Sequence, residues 1–193
     1  MASIKATLRS DPFLNDPLNA GELYEAVGRY IRVWSHLEEH FNSNLIVMLG
    51  HRAVAPLRNE LKLDEDGPVS FKRKLKHWRR LWSNIPEFAR FKTGALQFAD
   101  QIGDANKDRN TLLHNAWQEF TNHDTLTVKS ASWALRSGKL ITATTSFGVA
   151  DVRNMMQTAD ALNTRLLMFT FVLAKTSRPI EAAGTPPPPE TPR

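Results

Sequence analysis

Cysteine is absent from the whole 193-residue chain. Without thiols there is no disulfide framework, no thiolate zinc site and no cysteine nucleophile, and the chain suits a reducing compartment. Long apolar runs are missing as well. The longest nearly unbroken one, Leu166 to Ala174, is about half of the ~20 residues that a membrane-spanning helix needs. It reads as a buried helix end, and no membrane association is expected. The start, Met1-Ala2-Ser3-Ile4-Lys5, lacks the apolar stretch of a secretory signal, so the expected location is the cytoplasm. There is no glycine-rich phosphate loop, no His-Glu-x-x-His zinc motif and no Gly-x-Ser-x-Gly elbow. His36 and His40 are four apart, as metal ligands often are, but no third ligand completes a pattern. They read as polar residues on an exposed helix edge, and neither a metal nor a cofactor is expected.

The chain does contain the apolar share of a globular domain and a formal charge of +5, unevenly spread. Lys72, Arg73, Lys74, Lys76, Arg79 and Arg80 fall in one short stretch without an acid. Such a patch can steer toward nucleic acid or an acidic partner; it can equally be a solvated helix face that keeps the protein soluble. Lys72, Arg73, Lys76, Arg79 and Arg80 are the candidate nucleic-acid contacts.

Periodicity predicts a mainly α fold: an up-and-down bundle of four to five helices with a small antiparallel β meander before the last helix. Residues 1–18, with Pro12 and Pro17, read as an arm. Asn19 can cap a first long helix whose stripe is Leu23, Val27, Ile31, Trp34, Leu37, Phe41, Leu45 and Met48. Gly50 and Pro56 end it, and a connector follows that the turn signal Asp66-Gly67-Pro68 closes. The second helix carries Phe71, Leu75, Trp78 and Leu81 or Trp82 on its apolar face, opposite the basic cluster. Pro86 suits the first turn of a third helix, whose stripe runs Phe88, Phe91, Ala95, Phe98, Ile102, Ala105, Arg109, Leu112 and Ala116. Residues 117–146, rich in Thr, Ser and Val, read as two or three strands with Arg136-Ser137-Gly138-Lys139 as a hairpin turn. Asp151 caps a last helix through Val152, Met156, Ala159, Leu162, Leu166, Phe169 and Leu173. Residues 176–193, with Pro186 to Pro189 in a row, read as a disordered tail. Trp34, Trp78 and Trp82 are expected in the core, and Trp117 and Trp133 to pack the meander onto the helices.

Arg109 occupies a position where the stripe asks for an apolar residue. An inward-facing charge is costly unless it is paired or faces a cleft. Arg109, Asn110 and His114 lie within about one and a half helical turns, and Asn110 and His114, four apart, share a face. A fixed guanidinium can hold a phosphate through two parallel hydrogen bonds. A nearby histidine can move protons near neutral pH. Together they suffice, in principle, for metal-free cleavage of RNA through its own 2′-hydroxyl.

Arg109-Asn110 followed by three residues and His114 resembles the Arg-x(4–6)-His motif of the HEPN superfamily, with Leu112-Leu113 as the usual apolar filling. Gly28-Arg29 and Trp34-Ser35-x-Leu37-Glu38 are similar to the first helix of uncharacterised bacterial bundle proteins of this kind. The resemblance covers residues 19–175. It implies a metal-independent RNA endonuclease, a toxin or defence effector, that dimerises so that two motifs form one cleft. Arg109 would then stabilise the scissile phosphate, His114 act as general acid or base, and Asn110 orient one of them. An antitoxin or other protein partner is implied too, since some such bundles are silent members of toxin–antitoxin pairs. The alternative is a non-catalytic helical interaction protein that meets an acidic partner or nucleic acid through its basic second helix. Arg109 would then pair with Glu38 or Glu39, and His114 would cap its helix.

Overall fold

Apolar residues at spacings of three and four build the helices, and the breakers between them set their ends. The computed structural model describes residues 21–63, 70–114, 116–122, 125–134 and 139–176. It has α1 (Gly21–Leu49), α2 (Phe71–Asn84), α3 (Lys92–His114), strands β1 (Ala116–Asn122), β2 (Thr125–Ala134) and β3 (Lys139–Gly148), and α4 (Val149–Thr176). Short 3-10 turns at Ala55–Leu57 and Pro86–Phe91 precede α2 and α3. The chain is thus mainly helical with a small antiparallel sheet before its last helix. No helix among the described residues is long and apolar enough to cross a membrane. The expected arm, the Asn19 cap, the turn at Asp66-Gly67-Pro68 and the proline-rich tail lie outside the described residues.

The core joins all four helices through aromatic rings. Trp78 lies 5.0 Å from Phe41, 5.5 Å from Phe98 and 5.3 Å from Phe169, and Trp82 lies 4.8 Å from Phe88. Trp34, Trp78 and Trp82 are all buried, as expected. The side chains of Trp117 and Trp133 lie outside the described residues. Ile31 does not join the core; it is 42% exposed, and Tyr30 is buried in its place. Either position satisfies a three–four step between Val27 and Trp34, and the core lies on the side of Tyr30, whose ring meets Trp34 at 6.3 Å.

The helix directions differ from an up-and-down order. Phe71 meets Trp34, Lys74 reaches Glu38, Trp78 meets Phe41, and Phe88 just beyond α2 meets His51 just beyond α1. Hence α2 runs parallel to α1. The connector explains this, since it is long enough to carry the chain back before α2 begins, whereas a short loop would force antiparallel neighbours. Arg58 donates to the Leu49 carbonyl at the end of α1, and Arg80 donates to the Leu61 and Lys62 carbonyls, the latter at a residue with φ of 50°. α3 then runs antiparallel, with Trp78 Nε1 donating to the Ala95 carbonyl and Leu75 packed at Gly103. α4 is parallel to α1 along its length, from Arg153 beside Glu22 to the Thr176 carbonyl beside His51.

The sheet follows the order β1-β2-β3, with β2 and β3 in unbroken register from Thr125 opposite Gly148 to Ala134 opposite Lys139. Two expectations are corrected here. Ala116 opens β1 rather than ending α3, and Lys139 belongs to β3 rather than to the hairpin turn, whose residues 135–138 lie outside the described set. The alternation of β2 and β3 turns Leu126 and Phe147, directly opposite each other, into the core.

α4 begins two residues before Asp151. The carboxylate still caps it, accepting from the Gly148 backbone N–H at 2.8 Å from the third helical position, as the return half of a capping box does. Asp151→Ala is therefore expected to lower stability by ~1 kcal/mol, read from urea unfolding. An unchanged midpoint would show that the cap contributes nothing.

Candidate functional site

α3 sets the geometry of the motif. Arg109 lies in its penultimate turns and His114 is its last residue, so the two Cα positions are separated by about 7.5 Å of rise and roughly 140° of rotation. Leu112, between them, is fully buried and anchors this end of α3 to the core. The buried face prevents the segment from rotating, and that fixes where Arg109 can point. Arg109 is half-buried, and its guanidinium donates to the Asn110 side-chain oxygen at 3.0 Å. Asn110 thus orients the arginine. The backbone of His114 is placed by the helix, and its side chain lies outside the described residues.

Tyr30 of α1 belongs to the same neighbourhood, and sequence reasoning overlooked it. Burial pushes its phenol well above the usual tyrosine range; the nearby Arg109 charge opposes the shift and Asp108 adds to it. Tyr30 therefore stays protonated, unable to serve as a base near neutral pH. Its contribution to stability is complete below the ordinary tyrosine value of 10.0 and declines as pH rises beyond it. The available signal was the rival three–four step that puts Tyr30, not Ile31, on the core side. Beside the motif, Asp104 and Asp108 of α3 and Thr158 and Arg165 of α4 line an open groove.

The basic cluster of α2 is not one uniform surface. Lys74 is largely covered and bonds the Glu38 carboxylate at 3.1 Å. Arg79 donates to the Ala99 carbonyl and to Asp100, and Arg80 holds the connector. Arg79 and Arg80 are thus engaged in tying α2 to its neighbours. Lys72, Arg73 and Lys76 are exposed. They lie near the N-terminal end of α2, the end that packs at Gly103, six residues or about 9 Å along α3 from Arg109.

His36 and His40 part company as well. His36 is exposed, but His40 is half-buried and its Nδ1 pairs with the Asn163 side-chain oxygen at 2.7 Å. His40 is thus a helix-packing residue rather than an edge residue. Among the described residues no group of three His, Asp or Glu side chains is placed to hold a metal ion.

No family model, curated protein or solved structure matches the chain. The HEPN resemblance therefore rests on the residues around Arg109 and their helical setting.

Proposed function

We propose that this chain is an RNA endonuclease of HEPN type, working without a metal ion as a toxin or defence effector. The observation that carries the reading is Arg109 itself: a guanidinium held by Asn110 on a core helix, one and a half turns before His114. Charge at such a position is costly unless it is paired or faces a cleft.

In the proposed reaction the 2′-hydroxyl oxygen of the RNA attacks the adjacent phosphorus and its proton passes to His114. The bond to the 5′-oxygen breaks, that oxygen takes a proton from water, and His114 returns its own proton to the solvent. The products are a 2′,3′-cyclic phosphate and a 5′-hydroxyl. Arg109 stabilises the charge that builds on the phosphoryl oxygens, and the exposed Lys72, Arg73 and Lys76 attract the RNA backbone. The rival reading, a non-catalytic protein that meets an acidic partner or nucleic acid through α2, would use the same exposed Lys72, Arg73 and Lys76.

The test is incubation of wild type and His114→Ala with total RNA in EDTA. Cleavage in the first, leaving cyclic phosphate ends, and its loss in the second is the expected result. Equal, silent samples from folded proteins would remove the proposal.

A further inference from the structure

The two edges of the sheet are built differently. An edge strand leaves a row of backbone N–H and C=O groups unpaired, and folded proteins blunt it with charge, proline or bulges. β1 is blunted in this way. Its pairing with β2 shifts register between Trp117 and Glu119 and again between Phe120 and Asn122, and Glu119 lies within it. β3 is not. It pairs with β2 without a shift over all 10 of its residues, and from Leu140 to Gly148 it has neither charge nor proline. Thr142, Thr144, Thr145 and Ser146 are exposed, and among the described residues no strand lies on the side of β3 away from β2. Uncharged, regular and rich in β-branched residues, β3 has the composition of an interior strand.

The residues before α1 have the opposite character. Ser3-Ile4-Lys5-Ala6-Thr7-Leu8-Arg9-Ser10 alternates, with Ile4, Ala6 and Leu8 in one set and Lys5, Thr7 and Arg9 in the other, the period of a half-covered strand. Charged residues at alternate positions are what a sheet carries on its outermost strand. Pro12 ends the pattern. The segment joins α1 at the same end of the molecule at which β3 arrives. Glu22 of α1 stands 3.9 Å from Arg153 of α4, and the two helices are parallel, so Gly21 and Val149 are about 5 Å apart along the helix axes. β3 leads straight into Val149. Residues 11–20 can span about 33 Å when extended, roughly the length of β3 itself, so Ser3–Ser10 can reach any part of that edge.

We infer that Ser3–Ser10 adds to β3 as a fourth strand, extends the order β1-β2-β3 by one and closes the open edge. Ile4, Ala6 and Leu8 then fall on the face that carries Leu126 and Phe147, and Thr7 falls beside Thr144 on the opposite face. The backbone ladder recognises the segment, as in other strand additions. The new outer edge carries Lys5 and Arg9, which discourage a further strand. Nuclease activity plays no part in this contact, which is read from the backbone alone.

Hydrogen exchange of the full chain tests it. Every second amide of β3 points away from β2. Those between Thr142 and Ser146 should be protected in the wild type. Thr7→Pro, which takes an N–H out of the ladder, should speed their exchange by roughly tenfold or more, while the amides bonded to β2 keep their rate. Because the chain has no cysteine, Thr7→Cys with Thr144→Cys introduces only two thiols, on neighbouring strands about 5 Å apart. Oxidation should join them within one chain. Outward amides that exchange at one rate in the wild type and in Thr7→Pro would overturn the inference. So would thiols that stay free, or that join only between chains because a second copy supplies the strand.

Discussion

Arg109→Ala is expected to lower RNA cleavage by about 10²- to 10³-fold, the usual cost of removing one donor aimed at developing charge. The loss should fall mainly on kcat, since charge on the phosphoryl oxygens is greatest in the transition state. Arg109→Lys should not restore activity, because an ammonium lacks the planar fork that grips two oxygens at once. Asn110→Ala should cost less, because Asn110 acts by orienting the guanidinium. Thermal unfolding followed alongside separates chemistry from folding. The catalytic assignment fails if Arg109→Ala cuts RNA at the wild-type rate, or if its lost activity merely follows lost helix content.

Trp78→Ala is expected to be the most damaging change in the core, lowering stability by about 3–5 kcal/mol. Trp78 touches rings from α1, α3 and α4 and donates its indole N–H to the Ala95 carbonyl. Its removal opens a cavity where four helices meet and leaves that carbonyl without the donor. For a domain of this size the midpoint should fall by roughly 6 to 20 °C, a large part of typical domain stability. Trp78→Phe keeps most of the ring surface and should lose markedly less. Circular dichroism melts of the three proteins decide it: equal midpoints would mean that this ring cluster does not hold the helices together.

These two residues mark what was legible in the sequence. Trp78 declared itself, because three–four spacing is a local signal and the fold leaves a wide apolar stripe few alternatives. The same holds for α4, whose stripe from Val152 to Leu173 is buried as spaced except at Met156, which is half-buried. Arg109 was also visible, as a charge interrupting a stripe. Its neighbours were not. Tyr30 lies far away along the chain and competes with Ile31 for one seat, so only the position of the core decides between them. The internal contacts of the basic cluster were hidden for a similar reason. Charge counts along α2 do not reveal that Arg79 meets Asp100 and Arg80 meets the connector carbonyls, because those acceptors come from other elements. Helix direction was invisible as well: periodicity reports a buried face and not which way the chain travels.

The pairing of the first helix with the last has a consequence for synthesis. The hydrogen bonds from His40, Asn44 and His51 to α4 span 123, 126 and 125 residues. At about 5–20 residues per second on a ribosome, α1 waits roughly 6–25 s for the helix that covers its flank. During that interval its stripe is open to chaperones, and the helix scaffold around Arg109 is incomplete. A protein that cuts RNA would thus be born beside the ribosome's own RNA in an unassembled state, and arm itself only as its final helix emerges.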